Sequence, residues 1–124
     1  MPYLAVTNNP KIKEHFHEIN REVIFVEGHA KDVMEKCSEL VYGGLRLAAD
    51  PLAGYFSRPN PYHTVFLEQN HGRVRGDDLV RLQKTLEQWD KYGNIILMTE
   101  RLLEDYKELD RSIALCTWEG FGAV

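Results

Sequence analysis

The sequence predicts a single α/β domain over residues 1–124: a three-layer sandwich with helices flanking a mostly parallel four-stranded sheet of order about 2-1-3-4. Three observations carry this expectation. Short apolar runs rich in β-branched residues alternate with stretches of helical apolar periodicity, which implies parallel strands joined by right-handed crossovers. Glycine and proline punctuate the boundaries between these runs. A length of 124 residues with 44% apolar content suffices for one hydrophobic core.

Taken in order, Tyr3 to Val6 is the first strand. Pro10 suits the first turn of a helix capped by Asn or Thr, and Ile12, Phe16 and Ile19 give that helix one buried face. Val23 to Val26 is the second strand, after which Gly28-His29 turns the chain. Ala30, Val33, Met34, Cys37, Leu40 and Val41 line the second helix, and Gly43-Gly44 stops it. Leu45 to Ala49 is the third strand. Thr64 to Leu67 forms a fourth, whose direction the sequence leaves open. Asp77 or Asp78 caps a helix carrying Leu79, Leu82, Leu86 and Trp89, which Tyr92-Gly93-Asn94 ends. Thr99 and Glu100 open the last helix, with Leu102, Tyr106, Leu109, Ile113 and Cys116 on one stripe. Leu103, Leu115 and Trp118 widen it. A stripe so broad is either absorbed by the sheet or meets a second subunit, so a homodimer is one expectation.

With the first strand between the second and third, the connections diverge between strands one and three. Ligands of open α/β sheets sit at such a point, outside the carboxyl ends of the strands. Two loops emerge there, Thr7-Asn8-Asn9-Pro10 and the stretch from Asp50 to Tyr62. Asn8 and Asn9 precede a helix start, where free N–H groups and the helix dipole favour an anion; the same residues are also ordinary caps. In the second loop Gly54 permits close backbone approach, and Ser57, Asn60 and Tyr62 supply hydrogen-bonding groups. Arg58 adds a fork for a carboxylate or phosphate, although a proline-stiffened surface loop would have the same composition. Glu27 and His29 end the second strand on the same rim, as an acid–base couple or as plain turn residues. Asp50 either aligns a substrate or anchors the Pro51 turn. Together these residues form the expected site for a small anionic metabolite.

Composition removes other classes. A net charge of −4 argues against affinity for nucleic acid, which needs clustered Lys and Arg. The short basic stretch His71 to Arg75 lacks interleaved aromatics and suits a solvated turn. Ile95 to Met98 is too short an aliphatic run to cross a bilayer, so no membrane partner is expected. The chain enters a strand at Tyr3, leaving no room for a signal peptide, and a cytoplasmic location follows as the expectation. Cys37 and Cys116 both fall on helical apolar stripes and are expected to be buried, inert thiols. His15 and His17 point to different helix faces, and no histidine has a metal-ligand spacing. Dinucleotide, P-loop and hydrolase-elbow motifs are all missing, so no cofactor is expected.

Val6-Thr7-Asn8-Asn9-Pro10, Val26-Glu27-Gly28, Asp50-Pro51-Leu52-Ala53-Gly54 and Pro59-Asn60-Pro61-Tyr62 resemble the GrdX family. The likeness runs to about Glu68, with the C-terminal half similar in length and pattern, and Tyr55-Phe56-Ser57-Arg58 departs from it by being bulkier. The resemblance implies a small accessory protein encoded with glycine, sarcosine and betaine reductase components in amino-acid-fermenting anaerobes. It carries over no catalytic residues. Three functions therefore stand as expectations: a non-catalytic binder of a small anionic metabolite, an enzyme using Glu27, His29 or Asp50 as acid or base, and a module that docks reductase components.

Overall fold

The computed structural model describes residues 3–50, 60–69, 76–91 and 99–122, with side chains described except at 88–91. The elements are β1 (Tyr3–Thr7), α1 (Pro10–Glu18), β2 (Val23–Phe25), α2 (Ala30–Tyr42), β3 (Leu45–Leu47), β4 (Thr64–Gln69), α3 (Gly76–Lys91) and α4 (Glu100–Gly120). The α/β class and the element order are as expected, but the sheet is not mostly parallel. Its order is β2-β1-β4-β3. β1 pairs with β2 in parallel, whereas β4 pairs antiparallel with both β1 and β3.

The first three strands do point the same way, and β4 is inserted backwards between β1 and β3. The reason is positional. Thr64, the first residue of β4, lies opposite Thr7, the last residue of β1. The chain thus leaves β3 and re-enters the sheet at the same edge, which needs only a loop; a parallel entry would require a crossover of the whole sheet.

β4 earns its central place by being apolar on both faces. Val65 and Leu67 join Leu4, Val6, Val33, Cys37, Val41 and Leu82 in one core cluster beneath α2 and α3. Phe66 joins Ala5, Ile12, Phe16, Ala114 and Trp118 in the other, beneath α1 and α4. The edge strands are only three residues long and half-buried. Asp78 closes part of one edge: its buried carboxylate accepts the Leu47 amide at 2.9 Å.

The helix ends follow local chemistry. Asn9 Oδ1 accepts the Lys11 amide at 3.1 Å with Pro10 in the first turn, and Thr99 Oγ1 accepts the Leu102 amide at 3.2 Å. After α2 the left-handed Gly44, φ 112°, reverses the chain into β3.

α4 is rotated from the expected stripe. Its buried residues are Asp110, Ala114 and Trp118, while Leu102, Leu109 and Cys116 are exposed. Small Ala114 permits close approach to the sheet, and Trp118 sits 4.9 Å from the Phe16 ring and 5.9 Å from that of Phe66. Cys116 is therefore not the buried thiol expected. Cys37 is, and burial pushes its thiol well above the usual range. The end of α3 at Tyr92-Gly93-Asn94 and the run Ile95 to Met98 lie outside the described residues. Truncating Trp118→Ala should cost about 3–5 kcal/mol in urea unfolding, because Phe16, Phe66 and Tyr3 all lose a ring partner.

Candidate functional site

Because β1, β2 and β3 point one way and β4 starts at their far end, one edge of the sheet gathers most of the expected residues. Thr7 ends β1 and Asn8 and Asn9 follow it, Glu27 and His29 follow β2, Asp50 follows β3, and Asn60 and Tyr62 precede β4. Gly54, Ser57 and Arg58 lie outside the described residues.

Asn8 and Asn9 are buried and spoken for. Asn8 Nδ2 donates to the Gly28 carbonyl at 3.0 Å and the Pro61 carbonyl at 2.8 Å, while its Oδ1 accepts the His63 amide at 2.9 Å. Asn9 Nδ2 donates to the Lys107 carbonyl at 2.9 Å and to Asp110 Oδ2 at 3.0 Å. The first-turn amides of α1 are also taken: Pro10 has none, Lys11 donates to Asn9 Oδ1, and Ile12 donates to the Asn9 carbonyl. The groups on which an anion site was expected thus bind the protein itself. These asparagines clamp four chain segments together.

Glu27 and His29 are exposed, and the His29 amide donates to Asp32 Oδ2 at 2.8 Å as a helix cap. Gly28 between them has φ 133°, and a Cβ there would collide with the Asp32 carboxylate. This pair follows β2 and Asp50 follows β3, three strand spacings apart, or about 14 Å across the sheet. They do not form one acid–base centre. Asn60 is half-buried, donating to the Tyr106 carbonyl at 3.0 Å and accepting the Tyr62 amide at 2.9 Å. The Tyr62 ring lies 5.5 Å from the Lys107 ammonium.

What the sequence did not disclose is Asp110. It sits within the last helix, 7% exposed, and accepts hydrogen bonds from Asn9 Nδ2 and from Thr64 Oγ1 at 2.8 Å. Burial raises its carboxyl above the ordinary aspartate range, opposed by the charge of buried His63 and by the bonds from Asn9 and Thr64. Thr64 Oγ1 also lies 2.8 Å from Thr7 Oγ1, which accepts the Asn9 amide at 3.0 Å. Beside this network is a small hollow of about 10 Å³, lined among the described residues by Ala49, Asp50, Thr64, Phe66, Asp110, Ile113, Ala114 and Thr117. Only Asp50 among these was an expected site residue. An Asp on an otherwise amphipathic helix gives no signal of its own; the one hint was that Asp110 and Thr117 share a helical face with Ala114 and Trp118. Among the described residues no cluster of three or more His, Cys, Asp or Glu could hold a metal, and no helix is long and apolar enough to cross a membrane.

Asp110→Ala takes the acceptor from the buried Asn9 amide and the half-buried Thr64 hydroxyl and should cost on the order of 3 kcal/mol in urea unfolding. Asp110→Asn carries the pH signature. The unfolded chain ionises its aspartate first, so wild-type stability from this group is present at low pH and declines as pH rises towards the higher folded pKa. The stability difference, variant minus wild type, should therefore grow from about pH 4 upward and then level off.

No curated protein and no solved structure matches the chain. The model of the GrdX-like protein family matches residues 4–117, well beyond Glu68 and through most of α4. The chain belongs to the GrdX-like protein family.

Proposed function

We propose that the chain is a non-catalytic accessory protein of glycine, sarcosine and betaine reductase metabolism that binds a small metabolite between Ala49-Asp50 and α4. One observation carries this reading: a hollow at the carboxyl edge of the sheet with a buried carboxylate in its wall, held by hydrogen bonds from Asn9 and Thr64. The resemblance to proteins encoded beside those reductases supplies the metabolic setting. Acid–base catalysis is less well supported, because Glu27 and His29 stand at the other side of the sheet from Asp50.

Thermal unfolding of the chain against amino acids, betaine, phosphate, acyl phosphates and nucleotides tests it. A ligand at a hundred times its dissociation constant should add about 2.7 kcal/mol, or roughly 5 °C. That shift should be reduced in Thr117→Val, whose side chain lines the hollow. No shift across the panel would overturn the reading.

The exposed Leu102 and Leu109, two turns apart on α4, support a second reading in which this helix docks a reductase component. Co-purification with such a component, abolished by Leu109→Glu in a chain that still folds, is the outcome that reading expects. Retention of an unchanged complex by the variant would remove it.

A further inference from the structure

The outer face of α4 carries an apolar stripe with heptad spacing. Leu102 and Leu109 are 40% and 42% exposed, and Cys116, at the same spacing beyond Leu109, is exposed as well. Half-buried Tyr106 and Ile113 border the stripe on one side. On the other side lie Arg101, Asp105, Ser112 and Glu119, all exposed. Residues that recur every seven positions keep a stripe narrow and nearly straight, the pattern that one helix offers to another. At 1.5 Å per residue α4 runs about 31 Å, long enough to carry two heptads of contact.

The charges of α4 fall into two groups. Those towards α1 are taken up within the chain: Lys11 bonds Glu108 at 2.6 Å and Glu104 at 3.2 Å, and Lys107 bonds Glu104 at 3.0 Å. The side chains of Arg101, Asp105, Ser112 and Glu119 have no ion pair or hydrogen bond among the described residues.

These unused groups are ordered so that the face matches itself. In an antiparallel pair of helices with a twofold axis at Leu109, the two Leu109 side chains meet, and Leu102 meets Cys116 of the second copy. The same symmetry sets like flank against like flank. Tyr106 then lies against Ile113, the Ser112 hydroxyl stands across from the Asp105 carboxylate, and Arg101 stands beside Glu119. Glu108, the flank residue nearest the axis, is drawn towards α1 by Lys11 and not left to face its own copy. A parallel pair would put Arg101, Asp105 and Ser112 against the apolar Tyr106 and Ile113 instead. The order of charge along α4 selects the antiparallel arrangement, and with it a second copy of this chain as the occupant.

We propose that the chain forms a homodimer through α4, with the two helices antiparallel about Leu109. The pairing does not depend on the hollow. A reductase component binding the same stripe would have to displace the second copy.

Sedimentation of the full chain over a wide range of concentration tests the association, and charge exchange tests its geometry. The chain should pass from monomer to dimer, and Leu109→Glu should remain monomeric with unchanged circular dichroism. Arg101→Glu and Glu119→Arg should each weaken the dimer about tenfold, since the symmetric pair holds that contact twice, and the double variant should recover it. Mild oxidation tests the direction. Leu102→Cys should link to the native Cys116 of a second copy, and adding Cys116→Ser should abolish the link. A chain that stays monomeric throughout would overturn the proposal and leave the stripe to another protein. A dimer that survives Leu109→Glu, or a link between two residues at position 102, would overturn it too.

Discussion

A carboxylate in a helix that packs against a sheet is costly unless its surroundings donate to it, and Asp110 obtains its donors from distant parts of the chain. Asn9 reaches it from the turn after β1 and Thr64 from the start of β4. Thr7 ties those two together through its hydroxyl. The apolar clusters on either face of the sheet supply most of the driving force, but burial is non-directional and would tolerate small slides of α4. Hydrogen bonds of fixed length do not. The network is therefore what sets the register of α4 on the sheet, and a half-satisfied version of it would be worse than an apolar one.

The same edge explains the backward strand. Asn8 holds the Pro61 carbonyl and the His63 amide on one side and the Gly28 carbonyl on the other, so the entry to β4 and the exit from β2 are pinned to the end of β1. Once the chain is fixed there, β4 can only run away from that edge, antiparallel to its neighbours. Its insertion fills the place where strands one and three were expected to diverge. The hollow beside Asp110 lies instead between the sheet and α4.

Elements were legible in the sequence where local rules decide them. The stripe of α2, the Thr99 cap and the Pro10 start are each set by neighbours a turn away. Sheet order was not, because the apolar run Thr64 to Leu67 is compatible with either direction and the decision lies in side-chain bonds to Asn8, more than fifty residues earlier. The inward face of α4 was hidden for a related reason. Apolar periodicity pointed to Leu102, Leu109 and Cys116, whereas the positions that pack hold Asp110 and Ala114. A polar residue facing inward reads as surface until its partners are known. Thr7, Asn8, Asn9 and Asp50 do lie at one end of the sheet and Asn9 caps α1 as the sequence offered, whereas the clamping by Asn8 was hidden, since capping, clamping and ligand binding use identical chemistry.

The V-T-N-N-P motif is thus a structural joint, and this bears on how a ligand would act. Asp110 belongs both to the joint and to the wall of the hollow, so a guest there touches the residue that registers α4. Any occupant of the hollow would therefore act on that residue, and through it on the attachment of the last helix to β1 and β4.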